Sequence, residues 1–153
     1  IPGRLGYAVA AALTTIDYAW PQVEIRADEG AARLVTLNML FACNGEYCGG
    51  GMHVGRGARL DDGLLLLVEA AGVRRARTVI QWPRLYDGRL EDIRGVRITT
   101  ARRVQVRPVT ETKDRSGRAA AEADVMVDCD GEICGRLPAT YSVVPNALTV
   151  CAP

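Results

Sequence analysis

What most constrains this chain is a recurring period: short stretches in which apolar residues alternate with polar ones, separated by turns that carry glycine. From Val23 to Ala27 apolar and charged side chains alternate, and Asp28-Glu29-Gly30 reads as a turn. Val96 and Ile98, then Val104 and Val106, alternate with Arg97, Thr99, Gln105 and Arg107. Val125 and Val127 lead into Asp130-Gly131, a dipeptide suited to a two-residue hairpin with positive φ, and Ile133 begins the return strand. Leu34 to Cys43 is apolar nearly throughout, which predicts a strand covered on both faces, and Leu64 to Val68 is a second apolar run. Short strands over 141–144 and 147–150 close the chain. Helical spacing is confined to two places. One is Leu5 to Ile16; the other is Gly72 to Leu85, where Val73, Ala76, Val79 and Ile80 fall on one face and Pro83 ends the pattern. About eight or nine strands with one or two helices predict a mainly β fold, a β-sandwich.

At 153 residues, with 48% hydrophobic and 24% charged side chains, the chain suffices for one core and is short for two, so residues 1–153 read as a single domain. A formal net charge of +1 supplies no bulk attraction to nucleic acid. The charge is uneven: ten arginines lie between Arg74 and Arg107 against Asp87, Glu91 and Asp92, whereas 109–135 holds seven acids against Lys113, Arg115 and Arg118. Two solvated faces are the expectation. The alternative is a peripheral contact with anionic lipid, at roughly 1 kcal/mol per basic side chain near such a surface. Leu5 to Ile16 spans twelve residues, short of the roughly 20 that cross a bilayer, and is expected to pack as a terminal helix. The first residue is Ile1 rather than Met, which suggests a longer parent chain.

Five cysteines stand at 43, 48, 129, 134 and 151. The odd count argues against a disulfide framework and for a reducing, cytoplasmic setting. Cys43 and Cys48, and Cys129 and Cys134, are each separated by four residues, so a tetrahedral zinc site is an alternative. Packing as small apolar side chains is the expectation. Between the second and third strands runs a long glycine-rich connection, from Gly49-Gly50-Gly51 through Gly55 and Gly57 to Asp61-Asp62-Gly63. Such loops often carry function, because glycine lets backbone amides approach a ligand. His53, the one histidine, is expected to be solvated and to have no role.

Three features then converge. Asn44-Gly45-Glu46-Tyr47-Cys48-Gly49-Gly50-Gly51-Met52, Asp61-Asp62-Gly63-Leu64-Leu65 and Asp130-Gly131-Glu132, in this order, resemble the successive motifs of diacylglycerol kinase and sphingosine kinase-like lipid kinases. The resemblance runs from about Tyr7 to Pro153, which in that family is the C-terminal β-sandwich alone. It implies ATP-dependent transfer of a γ-phosphoryl group to a lipid hydroxyl such as that of diacylglycerol. The cleft would close against an N-terminal α/β nucleotide domain absent from this chain. By the same resemblance Glu132 is the general base, Asp130, Gly131 and Glu132 touch ATP, and Mg²⁺ is held by Asp62 with backbone oxygens of Arg59 and Leu64. Implied partners are the lipid substrate, the nucleotide domain, the inner face of a membrane and a second copy of the chain. An NAD kinase-like protein and a non-catalytic binding or regulatory module are the alternatives. His53-Val54-Gly55-Arg56 stands where many relatives have a proline-containing segment.

Overall fold

A computed structural model describes residues 20–109, 125–149 and 151. The expected helix over 5–16 and polar loop over 113–117 lie outside these residues. Eight strands and two short helices are present among the described residues. In chain order they are β1 (Gln22–Ala27), β2 (Arg33–Cys43), β3 (Leu65–Ala71), α1 (Arg75–Gln81), α2 (Arg84–Asp87), β4 (Val96–Ala101), β5 (Arg103–Pro108), β6 (Met126–Cys129), β7 (Glu132–Arg136) and β8 (Ala139–Ser142). Six strands form one antiparallel sheet in the order β4-β3-β2-β1-β5-β8, and β6-β7 form a separate two-stranded ribbon.

The six-stranded sheet folds over itself into a sandwich. Val23 and Ile25 of β1 and Val104 and Val106 of β5 share one buried cluster with Leu65 and Leu67 of β3, which is two strands from β1 and three from β5 in the sheet order. The alternating valines of β1 and β5 thus find their cover in β3, which explains why both faces of β3 are apolar. Leu65 and Leu67 point into this first core, whereas Leu66 and Val68 point to a second cluster with Val54, Leu90 and Ile93. The second core is roofed by the glycine-rich connection and by the segment that follows α2.

β2 departs from the expectation of cover on both faces, since Leu34 is 63% exposed and Met39 lies at the surface. The cause is a bulge between Leu37 and Met39, where Asn38 is the extra residue against Ala71 and Ala70 of β3. The bulge exchanges the two faces. Val35 and Leu37 pack on the first core before it, and Leu40 and Ala42 do so after it. Asn38 takes over the missing ladder: its Oδ1 accepts from the Val73 N–H at 3.0 Å, and its Nδ2 donates to the Val73 carbonyl at 3.1 Å. At the opposite end of the first core, Arg33 makes a two-pronged ion pair with Glu69, which is 5% exposed. The pair borders a cavity of about 310 Å³ lined by Ile25, Leu40, Leu67 and Thr99.

Three further expectations change. The helix over 72–85 is two pieces, α1 and α2, because Pro83 has no N–H to continue the ladder. Its apolar stripe does not face the core: Val73 is buried ahead of α1, but Ala76 and Ile80 are exposed. Residues 147–149 form no strand, and the strand begun at Tyr141 is instead β8, whose partner is β5. The hairpin carrying Asp130 does not join the six-stranded sheet that the other strands form; it is the separate β6-β7 ribbon.

Candidate functional site

The two-residue turn at the ribbon tip is made by Asp130 (φ 53°) and Gly131 (φ 94°). Positive φ at both central positions is the twist that matches two antiparallel strands, and Gly131 meets it without a side chain to strain. The Asp128 Oδ1 accepts from the Gly131 N–H at 2.9 Å, which fixes the tip. Glu132 follows as the first residue of β7, opposite Cys129 and exposed to solvent.

Cys129 and Cys134 are joined by a disulfide, with Cα atoms 6.1 Å apart across the ribbon. This corrects the expectation that they pack as apolar thiols: both are exposed, and the ribbon joins them across the irregularity that leaves Cys134 out of the register. Among the described residues no group of three or more His, Cys, Asp or Glu side chains could hold a metal ion, so the four paired cysteines do not gather. Cys43, Cys48 and Cys151 are free thiols.

The glycine-rich turn lies beside this tip. The Cys48 thiol is pushed up first by burial and then by the charges of Asp128 and Asp130, so the two segments are electrostatic neighbours. Around Cys48 the chain closes on itself through a bridge between Cys48 and Met52, with amide-to-carbonyl distances of 3.0 and 2.9 Å. Gly55 packs so tightly that a Cβ there would sit 2.4 Å from the Gly45 carbonyl oxygen. The turn is therefore a built surface rather than a loose connection. Burial, with help from Cys48, raises the Cys43 pKa from 9.0 to about 11. At pH 8 such a thiol holds about 100-fold less thiolate than an ordinary one. Alkylation of Cys43 by iodoacetamide is accordingly expected to be about 100-fold slower in the folded chain than in the unfolded chain. Peptide mass spectrometry reads the two rates, and equal rates would contradict the burial.

His53 is not solvated. Its side chain is 19% exposed, its ring stacks on Tyr47 with centroids 4.4 Å apart and planes 11° apart, and its Nε2 lies 3.4 Å from Glu46 Oε2. That contact is not aligned as a hydrogen bond, and among the described residues the buried Nε2 has no hydrogen-bond partner. The Glu46 carboxyl is held below its ordinary range, first by the Gly57 N–H at 2.8 Å and more weakly by His53 and Arg56. Gly88 backs the ring: a Cβ at that position would lie 2.7 Å from His53 Nδ1. Sequence reasoning missed the Glu46–Tyr47–His53 group. The available signal was three chemistry-bearing side chains around one glycine run.

The third segment is a turn ahead of β3. Asp62 is exposed, and its Oδ1 accepts from the Leu64 N–H at 2.8 Å. Arg59 is not aimed at Asp62. Its guanidinium pairs with Asp61 at 3.1 Å, and that pairing raises Arg59 and lowers Asp61. One carboxylate would suit only a hard cation that keeps most of its waters, and among the described residues no group of three or more His, Cys, Asp or Glu side chains surrounds Asp62. No hydrogen bond or ion pair among the described residues joins Asp62 to Glu132. The glycine-rich turn bridges them, with Cys48 on the tip side and Gly45 against Leu60 on the other.

The family model described as YegS C-terminal NAD kinase beta sandwich-like domain matches residues 1–152. No curated protein matches. Among solved structures, a diacylglycerol kinase from Bacillus anthracis strain Sterne is similar with 18% identity and a TM-score of 0.56, over 94% of this chain and 44% of that one. Two further chains from that strain, provisionally named diacylglycerol kinase, give TM-scores of 0.59 and 0.60, also at 18% identity. They are covered to 46% and 43% of their length, so this chain spans a little under half of the solved proteins it resembles.

Proposed function

We infer the function from one premise: this chain belongs to the family of YegS C-terminal NAD kinase beta sandwich-like domains. The proposal is that it forms the lipid side of an ATP-dependent kinase that phosphorylates a lipid hydroxyl such as that of a diacylglycerol. The observation that supports this reading is Glu132, an exposed carboxylate that follows a rigid turn whose Asp128 and Asp130 are electrostatic neighbours of Cys48 in the glycine-rich turn.

The chemistry suits the tip. Asp128, Asp130 and Glu132 make it acidic, so it accepts hydrogen bonds from hydroxyl groups and repels bare phosphate oxygens. In the proposed step Glu132 accepts the proton of the lipid hydroxyl while that oxygen bonds to the γ-phosphorus and the bond to the bridging oxygen of ATP breaks, releasing ADP. The cationic groups that cradle the phosphates come from a nucleotide-binding α/β domain that would face the tip. Asp62, with backbone oxygens of Arg59 and Leu64, would hold Mg²⁺, which when bound would order the turn and the cleft beside it rather than take part in the transfer.

Labelled ATP tests the division of labour. The chain alone is expected to transfer no label to diacylglycerol in mixed micelles, whereas the protein that unites it with a nucleotide domain labels the lipid. Label transferred by the chain alone would contradict the assignment.

A further inference from the structure

The segment from Arg74 to Arg89 holds five arginines and one acid, Asp87, whose carboxylate accepts from the Arg89 N–H at 2.9 Å. One side of this segment is anchored: Leu85 packs on the second core, and Gly88 abuts the His53 ring. The other side presents Ile80, 76% exposed, with Ala76 and Pro83 also at the surface at spacings of four and three residues. Arg74 and Arg77 stand exposed beside them, and no ion pair engages either among the described residues. Trp82 and Tyr86 add two amphipathic rings, of which Tyr86 is 46% exposed. An exposed isoleucine amid unpaired arginines and aromatic rings is poor packing for water and good packing for a bilayer interface. There apolar groups enter the acyl boundary, rings sit at head-group depth and guanidinium groups meet anionic lipid.

We infer that the α1–α2 face is a docking surface for an anionic lipid bilayer, with Ile80 as the inserted anchor and Arg74 and Arg77 as its electrostatic contacts. The surface is continuous with the candidate site through Gly88, His53 and the stacked Tyr47, which is itself 66% exposed. Docking there sets the glycine-rich turn at the membrane, where a lipid hydroxyl is available. The purpose of the surface rests on the lipid-kinase reading, but the surface itself is tested without turnover.

Sedimentation with vesicles of phosphatidylcholine alone, and of phosphatidylcholine mixed with phosphatidylglycerol, reads the binding. The protein is expected to bind the anionic vesicles at least about tenfold more tightly and to release them as salt is raised. Ile80→Ser is expected to weaken that binding about tenfold. Arg74→Glu with Arg77→Glu is expected to weaken it about 20-fold or more. Arg77→Lys keeps most of it, because a bilayer reads charge. All three positions are exposed, so thermal melts of the variants should match the parent. Equal binding to both vesicles, or full binding by the Ile80 and arginine variants, would overturn the proposal. So would self-association that Ile80→Ser abolishes in the absence of vesicle binding. Anionic-vesicle binding by the protein that unites this chain with its nucleotide domain, with no label transferred from ATP to lipid, would sink the kinase reading and leave this one standing.

Discussion

Glu132→Gln in the protein that unites this chain with its nucleotide domain is expected to lower turnover by about 10²–10⁴-fold while lipid and nucleotide affinities change little. The amide is the same size as the carboxylate and keeps the hydrogen-bonding position at the start of β7, but it cannot take a proton. The turn geometry belongs to Asp130, Gly131 and the Asp128 cap, none of which the substitution touches. A change confined to apparent affinity would instead make Glu132 a binding residue. Undiminished turnover would remove it from the proposed step altogether.

The second large effect is on stability. Arg33→Ala strips the partner from a carboxylate that is 5% exposed, on the wall of the sandwich, and is expected to cost about 3 kcal/mol. The low end of the range for breaking a buried pair applies because water reaches Arg33, whose side chain is 36% exposed. For a domain of this size the melting temperature should fall by about 10 °C. Replacing both partners, Arg33→Leu with Glu69→Leu, is expected to restore most of the loss, since no buried charge is left behind. Circular dichroism melts measure both. A fall of less than about 1 kcal/mol for Arg33→Ala would show that Glu69 is solvated in the folded chain.

The strands β1, β4 and β5 were legible because each buries one face, and a half-buried strand writes its period of two into the sequence. The mainly β sandwich and the hairpin turn followed from the same signals, and Asp130-Gly131 does take positive φ. What was illegible depends on partners far along the chain. The Asn38 bulge is held by Val73, 35 residues away, and nothing near Asn38 announces that its amide replaces a strand. The Arg33–Glu69 pair spans 36 residues. The helical spacing of Ala76 and Ile80 puts them on one face of an amphipathic helix, yet spacing fixes only that residues share a face, not which way the face turns. His53 was expected in solvent because isolated loop histidines are usually there. Its stacking on Tyr47 and its seat against Gly88 arise only when the glycine-rich connection folds over the second core. The cysteine count argued against disulfides as a framework and could not speak to one local cross-link at a hairpin. At the candidate site, the resemblance supplied the motif residues, but their separation into a tip and a turn bridged by the glycine-rich surface was not legible in the sequence.

The central claim is that this chain supplies the lipid side of a kinase, and the acceptor of the phosphoryl group decides it. With labelled ATP, Mg²⁺, diacylglycerol in mixed micelles and NAD⁺ offered together, the protein uniting this chain with its nucleotide domain should place the label in the organic phase. The product expected there is a lipid phosphomonoester, and its formation should depend on Glu132. Label on the dinucleotide, or lipid labelling that survives Glu132→Gln at full rate, would contradict the account.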